Sequence, residues 1–214
     1  MLGVTELQKL QSPEDFLNIS KKLSASIPNA QYFNKSECKP YQEAWVFGHF
    51  AHGLLQFYEG IKIQLVEPQF PDAELIIDGK VYEFEITVAD KPERKIGDVY
   101  KNPKDKQRYE PERGRQEGPS WIVNAVGKKY EKRYSPPPHL LVYANFEASL
   151  LDISSIKKLC EPYINSFPSI WILWEYKFVK IHDSGIFKKV DDGKWYSVGV
   201  DPWWEEYTHS LMYT

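Results

Sequence analysis

The stretch FPDAELIIDGKVYEFEIT, residues 70–87, sets Asp72, Glu74, Asp78, Glu83 and Glu85 within two runs that otherwise read as β-strands. Strands disfavour Asp and Glu, and like charges on one face repel. Either this is a solvated edge, or something positive sits among the acids. Alternate strand residues share a face. Glu83, Glu85 and Thr87 therefore point away from Tyr82, Phe84 and Ile86, and Asp72 opens the partner strand beside Pro71. Converging carboxylates raise one another's pKa, and a divalent cation removes the conflict. Hard oxygen ligands select Mg²⁺, Mn²⁺ or Ca²⁺. Mg²⁺ (or Mn²⁺) held by Asp72, Glu83 and Glu85, with water positions left open, would activate a water and stabilise a phosphoryl oxygen. The chemistry expected is phosphodiester hydrolysis. The competing reading is a solvent-facing strand surface whose acids pair with lysines.

These residues need a scaffold. Asp78-Gly79 between two strand-like runs predicts a hairpin. IKIQLVE before it predicts a third strand. Ser12-Pro13-Glu14-Asp15 reads as an N-cap followed by Pro and acids in the first turn, so a helix is expected to about Ala25. Residues 40–60 carry Trp45, Phe47, Phe50, Leu54, Leu55 and Phe57, which predicts a largely buried helix ended by Gly60. Residues 91–118 are polar and punctuated by Pro and Gly, and read as a long excursion. A helix is expected from Pro119, then a strand in HLLVYANF, a helix from Asp152, and a strand in SIWILW. This order implies an α/β fold with a central mixed β-sheet flanked by helices. The expected organisation is an N-terminal helical extension (1–39), an α/β core (40–190) and a C-terminal aromatic tail (191–214).

PD, then a hairpin, then EFEIT, within a helix-strand-strand-strand-helix-strand order, resembles the PD-(D/E)xK nuclease superfamily, the restriction-endonuclease-like fold. The resemblance covers roughly residues 40–146 and implies an αβββαβ core and a metal-dependent nuclease. It gives Asp72 the aspartate role and Glu83 or Glu85 that of the second acid. The motif's Lys is absent, since Glu83-x-Glu85 and Glu85-x-Thr87 stand in its place. Such nucleases can carry that Lys on the following helix, where Lys129 lies on the face of Ile122, Ala125 and Val126, with Lys128 as its neighbour. They often add a Glu from the first helix, here Glu43. The alternative from another class is a catalytically inactive module on the same fold that binds nucleic acid or a protein.

Charge is distributed unevenly. Between Lys91 and Arg133 there are 13 Lys and Arg against 7 Asp and Glu, whereas the whole chain has a net charge of −3. A basic run directly after the acidic strand suits a phosphate backbone. Arg94, Lys95, Lys101, Lys104, Lys106, Arg108, Arg113, Arg115 and Lys128 are the residues expected to contact it. The partner expected is nucleic acid, DNA before RNA, with a homodimer left open. His49 and His52, three apart on a helix, and Trp203-Trp204 are weaker candidates for metal binding and base stacking. Two Cys without CxxC spacing exclude a zinc ribbon and a disulfide framework and fit a reducing cytoplasm. No signal peptide or membrane helix is expected.

Overall fold

The structure is a computed structural model that describes residues 3–32, 35–66, 70–93 and 110–199. Its frame is a seven-stranded sheet in the order β1 to β7. The strands are β1 (Lys62–Leu65), β2 (Ala73–Ile77), β3 (Lys80–Ala89), β4 (His139–Ala144), β5 (Ser169–Trp174), β6 (Lys177–Asp183) and β7 (Trp195–Ser197). Spatial order equals chain order. β3, β4 and β5 pair in parallel at the centre, and every other pairing is antiparallel. The expected α/β fold with a mixed sheet is present.

Five α-helices are described: α1 (Pro13–Ser24), α2 (Asn29–Tyr32), α3 (Lys39–Leu54), α4 (Pro111–Tyr130) and α5 (Ile153–Cys160). Parallel strands need crossovers. α4 joins β3 to β4 and α5 joins β4 to β5. Together they cover one face of the sheet, while α1 and α3 cover the other. The period of two shows in the central strands. Leu141, Trp171 and Leu173 face the α1/α3 layer, where Phe47, Phe50, Phe84 and Phe178 form an aromatic core. Leu140, Val142, Ile170 and Ile172 face α4 and α5 with Trp121, Ile122 and Val126. Both faces are buried, as parallel strands require.

Local signals set the boundaries. The β2–β3 turn puts Asp78 and Gly79 at φ 51° and 73°, the left-handed pair that a two-residue hairpin turn demands. Ser12 caps α1: its Oγ accepts from Asp15 N at 3.1 Å and donates to Asp15 Oδ2 at 2.8 Å. Ser12→Ala is expected to cost about 1 kcal/mol. Chemical denaturation reads this as a lower midpoint with an unchanged slope.

Two boundaries differ from expectation. α3 stops at Leu54 rather than at Gly60. α4 begins at Pro111, so the end of the expected excursion is helix and Pro119 lies inside it, not at its start. Arg113 and Arg115 therefore sit on the first turns of α4.

Candidate functional site

The β2–β3 register pairs Ala73 with Phe84. Extended by one residue, it sets Asp72 opposite Glu85. Asp72 Oδ2 accepts from Ile86 N at 2.7 Å, which ties the residue before β2 to the middle of β3. Phe84 and Ile86 enter the aromatic core, so the pleat turns Glu85 to the α4 side. There it is 2 % exposed, a depth a carboxylate tolerates only with partners.

α4 supplies the first of them. Ile122, Ala125 and Val126 are buried on its inner face, and Lys129, one turn on, follows the same stripe. Lys129 Nζ donates to Glu85 Oε1 at 2.6 Å and lies 4.0 Å from Asp72 Oδ2. Beyond the helix, Arg133 adopts φ 51° and reverses the chain. Tyr134 thereby returns to the site and its Oη donates to Glu85 Oε1 at 2.6 Å. Lys132 Nζ stands 3.4 Å from the same oxygen. Glu85 Oε2 is buried and has no hydrogen-bond partner.

α3 closes the other side. Lys39 Nζ lies 2.5 Å from Glu43 Oε1 and 3.6 Å from Asp72 Oδ1. The five groups Asp72, Glu85, Glu43, Lys129 and Lys39 are thus linked by ion pairs, with Tyr134 and Lys132 at the rim. Something positive does sit among the acids, and it is lysine.

The electrostatics separate the carboxylates. Burial opposes ionisation of Glu85, but the hydrogen bonds from Lys129 and Tyr134 outweigh it and hold its pKa below the usual range. For Glu43, burial and then the charge of Asp72 dominate over the Lys39 pair, and its pKa is pushed up to about 7. Burial and the bond to Glu85 raise the Tyr134 phenol well above its ordinary value, so it stays a donor.

Several expected residues stand elsewhere. Glu83 pairs across the hairpin with Glu74, half-buried, and Gln64 Nε2 donates to Glu74 Oε2 at 2.7 Å. Among the described residues no group of three or more His, Cys, Asp and Glu side chains is arranged to hold a metal ion. Of the expected three-acid set of Asp72, Glu83 and Glu85, the register keeps Asp72 and Glu85 opposite each other and carries Glu83 two pairs further along, opposite Glu74.

The basic residues also divide. Arg113 pairs with Glu93, Glu110 and Glu117, and Arg115 with Glu112, so both spend their charge on neighbouring acids. Lys128 is exposed on α4. Arg94, Lys95, Lys101, Lys104, Lys106 and Arg108 lie outside the described residues, as do Trp203 and Trp204. His49 Nδ1 donates to Trp45 O and His52 Nδ1 to Val198 O, each at 2.7 Å, which gives both rings a structural task. Among the described residues no helix is long and apolar enough to cross a membrane.

No family model matches this chain. A search of curated proteins likewise returns no match. Among solved structures, a Pseudomonas aeruginosa protein of unknown function, titled as a member of the monooxygenase superfamily, is similar over 94 % of this chain and 100 % of its own. Identity is 13 % and the TM-score 0.48, a likeness too distant to carry an activity across. That neighbour is described under a superfamily other than the nucleases, and neither it nor the other comparisons support the nuclease reading. The resemblance to PD-(D/E)xK enzymes, the nuclease function and its nuclease-fold binding alternative are corrected accordingly. The physical reason lies in the brevity of the motif. One Asp, a hairpin and a Glu-x-Glu fit any strand pair whose acids meet a lysine from a neighbouring helix.

Tyr134, Lys132, Lys39 and Phe70 belong to the site and were missed by sequence reasoning. Phe70 stacks on the Tyr134 ring with centroids 4.9 Å apart. No motif marks any of these four. Only Lys132, three residues after Lys129 on the same helical trend, carried a usable signal.

Proposed function

We propose that Asp72 and Glu85 bind one hard divalent cation, Mg²⁺ or Mn²⁺, and that with Lys129 they hold a phosphate-bearing ligand against it. A single observation carries this reading: on Glu85, which the strand register sets opposite Asp72, Oε2 is buried and has no hydrogen-bond partner. An unmatched carboxylate oxygen at that depth costs free energy that an oxygen-seeking ion recovers. Two carboxylates suffice, because Mg²⁺ binds through one or two of them and completes its shell with waters and phosphate oxygens. When bound, such an ion supplies Lewis-acid polarisation of a phosphoryl oxygen.

The chain's own residues then divide the work. Asp72 is anchored by Ile86 N and presents its remaining lone pairs. Lys129 already spans Glu85 and Asp72 and offers a positive charge to a ligand oxygen. Lys39 and the exposed Lys132 extend that positive rim, so an anionic ligand meets attraction before it meets the acids. Nucleic acid is one source of such phosphates, and a short DNA duplex belongs in the binding test beside inorganic phosphate.

Calorimetric titration of Mn²⁺ tests the site. One ion per chain is expected. Asp72→Asn keeps an acceptor for Ile86 N but loses the charge, and binding is expected to weaken by at least about 100-fold, since even outer partners are worth about 10–100-fold. Wild-type protein that takes up no Mn²⁺ at millimolar concentration, or an Asn variant that binds like wild type, overturns the proposal.

A further inference from the structure

We propose that Tyr134 is a positioning residue, whose hydroxyl fixes the Glu85 carboxylate so that Oε2 alone faces an incoming cation while its ring holds the Asp72 loop in place. This inference rests on the cation site proposed above and deepens it. The Glu85 carboxylate is bonded asymmetrically. Glu85 Oε1 receives Lys129 Nζ at 2.6 Å and Tyr134 Oη at 2.6 Å, with Lys132 Nζ at 3.4 Å. Oε2 receives nothing. A carboxylate with freely rotating χ3 would share donors between its oxygens, and two short bonds to one oxygen pin it instead.

Tyr134 fits that task better than a lysine. A phenol has two rotatable side-chain angles, and its ring is held flat against Phe70 at an interplanar angle of 15°. Phe70 stands two residues before Asp72 in the chain. The same ring therefore touches the loop that delivers one acid while its hydroxyl bonds to the other. Lys132 adds its ammonium over the Tyr134 ring, 5.7 Å from the centroid, and further restricts it. The left-handed Arg133 is what brings the side chain back from the end of α4.

The placement has a consequence for cation binding. Donors on Oε1 remain in place when an ion takes Oε2, so the ion is not required to displace Tyr134 or Lys129. Ligand-orienting partners of this kind are worth about 10–100-fold in metal affinity.

Two variants test the proposal. Tyr134→Phe keeps the ring on Phe70 and removes only the hydroxyl; Tyr134→Leu removes both. Mn²⁺ affinity is measured by calorimetry, and the electron paramagnetic resonance spectrum of bound Mn²⁺ reports the symmetry of its surroundings. Tyr134→Phe is expected to weaken Mn²⁺ about 10-fold and to change the spectrum at saturation, while the metal-free protein melts only a few degrees lower for the lost hydrogen bond. Tyr134→Leu is expected to lose more. A ring that serves only as packing predicts that Phe rescues fully. Wild-type affinity and spectrum in Tyr134→Phe overturn the positioning role while leaving the cation site standing. A wild-type protein that binds no Mn²⁺ removes the cation site itself, and this role with it.

Discussion

Replacing Lys129 by methionine is expected to lower the melting temperature at pH 7 by about 5–10 °C and to reverse how the Glu85 contribution to stability depends on pH. Methionine matches the length and apolar stem of lysine, so packing on α4 survives and the charge is what disappears. Removing one partner of a buried ion pair costs about 3–5 kcal/mol, because the other charge is left without compensation. Here Tyr134 still donates to Glu85 and Lys132 stands nearby, which reduces the expected loss to about 2–3 kcal/mol. For a chain of this size each kcal/mol corresponds to about 2–4 °C.

The pH dependence separates this mechanism from a packing defect. In the wild type the folded-state pKa of Glu85 lies below its ordinary value. Its contribution to stability is present above the unfolded carboxylate pKa and is lost as pH falls through the folded one. Without Lys129, burial dominates and the folded pKa rises above the unfolded value. The neutral acid is then the tolerated form, and stability falls as pH rises through that new pKa. The gap between variant and wild type should be widest near pH 7 and should narrow towards pH 4. Thermal melts across that range decide the matter. A gap of constant size would mean that shape, not charge, is what Lys129 contributes.

The same chemistry explains what sequence reading reached and what it did not. The Asp78-Gly79 turn is a backbone signal and survives intact in the fold. Lys129 could be foreseen because a lysine on an apolar stripe must find a carboxylate or water. Tyr134 and Lys39 could not. One reaches the site only through the left-handed Arg133, the other through the approach of α3 to the β2–β3 hairpin, and neither geometry is written in local composition. Choosing Glu85 over Glu83 likewise needed the register, which no periodicity supplies. The start of α4 was missed for a related reason. Its first two turns are charged, and Gly114, Gly118 and Pro119 read as helix breakers.

Those glycines have a tertiary purpose, and Gly114→Ala is expected to destabilise the protein by about 3 kcal/mol, at the upper end of overpacking costs. Helix propensity alone predicts the opposite sign, since Ala is favoured over Gly by about 1 kcal/mol. A Cβ at Gly114 would fall on the carbonyl oxygen of Glu147, a backbone atom that cannot swing aside, with Ala148 Cα behind it at 3.2 Å. Glu147 is itself held by Lys91, whose Nζ donates to its carboxylate at 2.6 Å. The helix must therefore move rather than the loop. α4 is a 20-residue rod that carries Lys129 near its far end, so a shift at Gly114 propagates to the Glu85 pair. Gly127→Ala on the same helix is the matched control. Its Cβ would meet the Tyr163 hydroxyl at 3.3 Å, the end of a side chain that can yield, and a neutral or slightly stabilising result is expected. Denaturant unfolding of both variants, with Mn²⁺ affinity measured alongside, checks the pair. Equal stability for the two alanines would show that α4 does not lean on residues 147–148, and would leave the seating of Lys129 without its mechanical cause.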